Sequence, residues 1–135
     1  MRPRRLQDFE GTWVFIREVV EAGGRTAHVT GRAVWAADGA GLRYCEMGEM
    51  RLPGLAPMRV ERSYHWDGDL GVFFEDGRFF HHVPSGGGKT AHWCDPDHYD
   101  GVYDFRDWPS FSVTWQVRGP RKDYRMTTIY RPEGT

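Results

Sequence analysis

Gly71-Val72-Phe73-Phe74-Glu75, then Asp76-Gly77, then Arg78-Phe79-Phe80-His81-His82-Val83, is the stretch whose reading decides the fold. Two runs of aromatic and β-branched residues flank a pair that accepts positive φ, which predicts a β-hairpin with a two-residue type I′ turn over Asp76-Gly77. The same grammar repeats outward in both directions. Tyr64-His65-Trp66 leads through Asp67-Gly68 into Leu70. Further turn signals stand at Ala22-Gly23-Gly24, Asp38-Gly39, Pro53-Gly54, Pro84 to Gly88, Asp95-Pro96-Asp97, Trp108-Pro109-Ser110 and Gly119-Pro120. These nine connections predict about ten strands, and no segment keeps apolar residues at helical spacing long enough to specify a helix. The chain therefore reads as all-β: an antiparallel up-and-down meander that closes on itself or folds into a sandwich.

Alternation within the strands favours closure around a partly polar interior. Trp13, Phe15 and Val19 share one face, as do Met58, Val60, Tyr64 and Trp66, and Tyr124, Met126, Thr128 and Tyr130. Val14, Ile16 and Val20 oppose the first set, while Arg17 and Arg62 interrupt the faces that carry them. Apolar residues on both faces, with charges inside the apolar stripe, fit a barrel around a ligand cavity.

The 135 residues suit one domain, 1–135, large enough to fold without a disulfide or metal. Charges nearly cancel, 18 basic against 19 acidic, which argues against nucleic acid or an anionic membrane as partner. Of the basic residues only Lys89 and Lys122 are lysines, so planar guanidinium forks suited to burial beside carboxylates dominate. Met1-Arg2-Pro3-Arg4-Arg5 runs into Leu6-Gln7-Asp8 and not into an apolar stretch, so it is no secretory signal. A cytoplasmic location is expected, with residues 1–8 a poorly ordered lead-in and Cys45 and Cys94 as free thiols. No run is long enough for a membrane helix.

Phe9-Glu10-Gly11-Thr12-Trp13 resembles the glycine-x-tryptophan opening of the lipocalin and fatty-acid-binding (calycin) superfamily, whose tryptophan plugs one barrel end. Tyr124-Arg125-Met126-Thr127-Thr128-Ile129-Tyr130-Arg131 resembles that superfamily's last strand, whose arginine lies across the same tryptophan. The resemblance implies Arg131 as the partner of Trp13, with Arg125 second. Over nearly its whole length the chain is also similar to a family of small bacterial proteins of unknown function. Tyr44-Cys45-Glu46-Met47-Gly48, Arg62-Ser63-Tyr64-His65-Trp66, Phe74 to His81, His92-Trp93-Cys94-Asp95-Pro96-Asp97-His98-Tyr99 and Gly119 to Tyr124 carry that similarity. More distantly the chain is similar to nitrobindin-like barrels, which hold haem through a histidine near the C-terminus. The last histidine here is His98, so that ligand is missing.

Six histidines invite attention: His28, His65, His81, His82, His92 and His98. His81 and His82 must face opposite ways, whereas His92 and Cys94 share a face. If strand 78–83 pairs with strand 89–94, His81 or His82 sits opposite His92, and the group could bind a metal or shuttle protons. The plainer reading is histidines bonded to carboxylates or lying in water; no metal-ligand spacing stands out and no cofactor is specified. Glu46, Arg62 and Arg78 stand among aromatics, where charge needs a partner, so an inward Glu46 is expected to meet Arg62 or Arg78. Asp95, Asp97 and Asp100 could serve His92 as acid or base, though Asp-Pro-Asp is more often turn chemistry.

Three readings follow. The first is a barrel binding a small, partly apolar ligand with an anionic or hydrogen-bonding group. Phe15, Tyr44, Tyr64, Phe80, Tyr99 and Trp115 would line it, with Glu46, Arg62, Arg78, His81 and His92 setting orientation. The second is an isomerase-, hydrolase- or dehydratase-type enzyme using His81 or His92 with Asp97. The third is a protein-interaction module using exposed aromatics. Ligand identity stays open, as does a homodimer.

Overall fold

The structure, a computed structural model describing residues 2–134, places a strand between each pair of the expected turns. After a one-turn helix, α1 (Leu6–Phe9), come β1 (Gly11–Glu21), β2 (Thr26–Asp38), β3 (Gly41–Arg51), β4 (Met58–Trp66) and β5 (Gly71–Phe74). They are followed by β6 (Phe79–His82), β7 (Gly88–Cys94), β8 (Asp97–Asp104), β9 (Phe111–Gly119) and β10 (Lys122–Pro132). All pairings are antiparallel, and β1 joins β10, so the ten strands form one curled sheet in the order β6-β5-β4-β3-β2-β1-β10-β9-β8-β7. The result is an up-and-down barrel, nearly closed. Its two edges, β6 and β7, face each other without a ladder. There the Thr90 hydroxyl donates to the His82 carbonyl at 2.8 Å, and the rings of Phe80 and His92 meet at 5.0 Å. The expected pairing of 78–83 with 89–94 is thus replaced by side-chain contact across a seam.

The deciding hairpin is present with a different turn. Gly77 has φ of 91° while Asp76 does not enter the positive-φ region, and Phe74 N bonds Arg78 O. A type I′ turn needs positive φ at both central residues, so the connection is instead the three-residue Glu75–Gly77 loop with glycine in the left-handed position.

One barrel end is closed by aromatic rings. Phe9, fully buried, has its ring centroid 5.0 Å from Trp66, 5.4 Å from Trp108 and 5.6 Å from Phe111, and its carbonyl accepts the Trp13 indole N–H at 2.9 Å. Arg4 lies buried over the Trp108 ring at 4.5 Å, its backbone N–H bonded to the Ser85 carbonyl. Residues 4–9 are therefore packed structure and not the loose lead-in expected for 1–8, because they supply the plug that the open barrel end requires; Met1 lies outside the described residues. Arg131 and Arg125 are exposed. Strand parity explains the correction: Tyr130 faces inward opposite Phe15, so its neighbour Arg131 must face outward opposite Val14. The arginine at the plugged end is Arg4.

Candidate functional site

Above the plug the barrel encloses a cavity of about 450 Å³. Tyr44, Glu46, Arg62, Tyr64, Arg78, Phe80, His81, His92, Tyr99 and Trp115 all line it. Period-two alternation turns most of them inward from β3, β4, β6, β7, β8 and β9, while a register shift opposite Val72 and Phe73 lets the adjacent Phe80 and His81 both line the cavity, and Arg78 stands just before β6. Phe15 does not line it; it is buried in the wall with its ring 6.1 Å from Tyr130.

One wall is built around a buried ion pair. Arg17 (5 % exposed) grips Glu46 (3 %) with both terminal nitrogens, at 2.6 and 2.9 Å, and its Nε donates to the Thr128 hydroxyl at 2.7 Å. On β2, Val29 pairs with Arg17 and Ala33 with Glu46, and the same-face residue between them is Gly31, which leaves room for the guanidinium to cross. At Gly31 a Cβ would fall 2.1 Å from the Met47 carbonyl oxygen, so the position requires glycine. The Tyr44 hydroxyl donates to Glu46 at 2.6 Å and lies 2.9 Å from the Tyr130 hydroxyl. With Tyr44 committed as donor to the carboxylate, Tyr130 must donate to Tyr44. Burial alone would raise the Glu46 pKa, but the hydrogen bonds and charge of Arg17, helped by Arg62, hold it below the ordinary carboxylate value. Burial pushes Tyr44 and Tyr130 up, keeping both phenols neutral.

Glu46 therefore meets Arg17, not primarily Arg62 or Arg78 as expected. Arg62 approaches its Oε2 only at 3.6 Å and is 43 % exposed. Arg78 lines the cavity but bonds Asp76 at 2.7 Å and lies over the Phe74 ring. Arg17, like Trp35 and Tyr103, lines the site without having been expected there from sequence. Its signal was present, an arginine interrupting the Trp13–Phe15–Val19 face, but nothing local says which carboxylate two strands away it will reach.

The facing wall is aromatic and imidazole. Phe80 stacks on Phe74 (4.8 Å, 16° between planes) and on Trp115 (5.3 Å, 19°). Trp115 lies flat because Gly101 faces it, where a Cβ would come within 2.8 Å of the indole. His81 (3 % exposed) is 2.8 Å from the Tyr103 hydroxyl through Nε2. Burial, with His92 and His82 nearby, lowers the His81 pKa to about 3, so the ring is neutral across the physiological range. Nδ1 of His81, Nε2 of His92 and Nε1 of Trp35 are buried without a hydrogen-bond partner among the described residues.

Asp97 does not line the cavity; it pairs with Lys122 at 2.9 Å. The pairing with His92 expected for acid–base work is not assembled, since Asp97 opens β8 at the turn and is held there by Lys122 at the start of β10. His81, with a pKa of about 3, is too weak a base for proton abstraction near neutrality. Cys45 and Cys94 are free thiols, and Cys94 lies on the cavity rim. His28, His65 and His98 pair with Glu18, Asp38 and Asp100 on the outside. Among the described residues no group of three or more His, Cys, Asp or Glu could hold a metal, and no helix is long and apolar enough to cross a membrane.

Residues 9–132 match DUF6314, described as a family of unknown function. No curated protein matches the chain. An S-type phycobiliprotein lyase, CPES, from Guillardia theta is similar in structure, with a TM-score of 0.62 and 10 % sequence identity over 96 % of this chain and 92 % of that one. At that identity the likeness is one of fold, a calycin-like barrel.

Proposed function

The chain belongs to the DUF6314 family, and we propose that it is a cytoplasmic binding barrel for a small, partly apolar molecule carrying an anionic group. The observation that carries this reading is an aromatic-walled cavity with one cation in surplus: Glu46 offsets Arg17, while Arg62 stands half-exposed beside them. About 450 Å³ lies within the ~300–1,000 Å³ typical of small-molecule sites. The parallel rings of Phe74, Phe80 and Trp115 offer apolar planes. The guanidinium fork of Arg62 suits bidentate contact with a carboxylate or phosphate. The lyase of similar fold supports only the scaffold of this reading.

Native mass spectrometry of the freshly purified protein, followed by titration with 1-anilinonaphthalene-8-sulfonate, an aromatic anion, tests the proposal. Supporting results are a mass adduct lost on denaturation, or one-to-one dye binding that weakens about tenfold in Arg62→Ala while the folded spectrum is kept. A bare chain together with no saturable dye binding overturns it.

A further inference from the structure

The barrel wall is shorter at β5 and β6 than at β4, and the difference leaves a strand edge open. β4 spans Met58–Trp66, yet β5 pairs only with Tyr64, His65 and Trp66. On that side, residues 58–63 have no ladder partner among the described residues. A row of unpaired N–H and C=O groups is a template for another strand. Its polarity is fixed by the rest of β4. Asp67 N bonds Gly71 O, so by the alternation of an antiparallel pair the odd-numbered residues turn their backbone groups to this side. Arg59, Glu61 and Ser63 therefore carry the free donors and acceptors. Arg62 faces the cavity, so the side chains of Arg59 and Glu61 stand on the outer face. They are 73 % and 63 % exposed, and their mutual contact is a loose 3.8 Å.

We propose that the protein forms a two-fold dimer by pairing this edge of β4 with the same edge of a second copy, in the register centred on Val60. In such an isologous pair each contact occurs twice, residue i meeting j and j meeting i. Registers that set odd residues opposite odd residues use the free backbone groups, and charge chooses among them. Centred on Glu61, the register opposes that carboxylate to its own copy; centred on Arg59, it opposes guanidinium to guanidinium. Like charges directly opposite are destabilising. Centred on Val60, it sets Arg59 opposite the partner's Glu61 and Glu61 opposite the partner's Arg59, each pair exchanging both backbone hydrogen bonds. Val60 meets its own copy on the inner face, and Met58, 44 % exposed, comes opposite the partner's Arg62. The second copy thus adds a side chain beside the cavity's surplus cation.

Sedimentation velocity of the full chain over a concentration series, with two charge-reversed variants, is the test. The wild type is expected to show a concentration-dependent dimer. Arg59→Glu opposes acid to acid and Glu61→Arg base to base, so each alone should dimerise about tenfold more weakly. Mixed in equal amounts, the two variants regain both opposite-charge pairs as a heterodimer, which should form within about threefold of the wild-type dissociation constant. Glu61→Pro removes a donor from the open edge and none from the β3 ladder, so it should abolish the dimer while the far-ultraviolet circular dichroism is kept. If that variant does not fold, the charge reversals decide. A wild type that stays monomeric overturns the inference and makes Arg59 and Glu61 charges that blunt the edge. A dimer unmoved by the reversals, or reversed variants that gain nothing on mixing, places the contact elsewhere and overturns it too. Either failure leaves the binding reading standing, since neither Arg59 nor Glu61 lines the cavity.

Discussion

The two walls of the cavity each bury a titratable side chain beside tyrosine, and they end in opposite electrical states. Glu46 stays charged because Arg17 reaches it with two hydrogen bonds. His81 stays neutral because burial penalises its charge and no carboxylate stands beside it to offset that, only a phenol, aromatic rings and other imidazoles. A counter-ion converts burial into a locked structural pair with every polar atom used. Without one, burial removes the charge and leaves a neutral group. The first wall is a closed ion pair; the second keeps a buried imidazole without a counter-ion.

The most severe way to break this contrast is to strip Glu46 of its partner. Arg17→Met should cost ~3–5 kcal/mol in urea denaturation, because a buried carboxylate is left uncompensated. Arg17→Met/Glu46→Leu should regain most of that. A single variant within ~1 kcal/mol of wild type would mean that the ion pair is no structural device.

Acid separates the walls next. His81 takes no proton until pH falls to about 3, whereas the unfolded chain takes one near its ordinary 6.5. Between those values the unfolded state binds more protons, so stability declines as pH falls, by about 2 kcal/mol at pH 5. His81→Phe should flatten denaturation midpoints between pH 7.5 and 5. Glu46 works in a lower window. Its folded pKa is depressed, so its contribution is complete above the ordinary 4.5 and is lost only as pH drops through the lowered value. The Arg17→Met/Glu46→Leu variant should therefore keep the wild-type slope between pH 7.5 and 5 and differ only below it.

Smaller effects sharpen the picture. Tyr103→Phe leaves Nε2 of His81 without its hydrogen-bond partner and should cost about 1–2 kcal/mol by thermal or urea unfolding. Arg62→Ala, at a half-exposed position 3.6 Å from Glu46, should shift stability by no more than ~0.5–1 kcal/mol. A much larger loss would place Arg62 in the structural pair and leave no surplus cation for a ligand.

The strand count, the turn positions and the inward-facing residues were legible because period-two alternation and turn chemistry are local. So Tyr64, Phe80 and Trp115 could be placed on one interior from sequence. What the local pattern does not encode is register and reach. Whether Asp76-Gly77 carries two or three loop residues depends on backbone angles at a single aspartate. The partner of Glu46 depends on small residues, Gly31 and Ala33, on a strand belonging to neither member of the pair. The failure of β6 and β7 to pair is a property of barrel closure, decided by the whole sheet. Arg4 was misread for a similar reason, since a basic lead-in reads as solvated until a barrel end needs covering.

The contrast between the walls can be put to one direct measurement: a ¹⁵N-histidine NMR titration of the wild-type protein from pH 8 to 5, following His81. The ring is expected to stay neutral throughout. A His81 that becomes imidazolium between pH 7 and 6 contradicts the contrast.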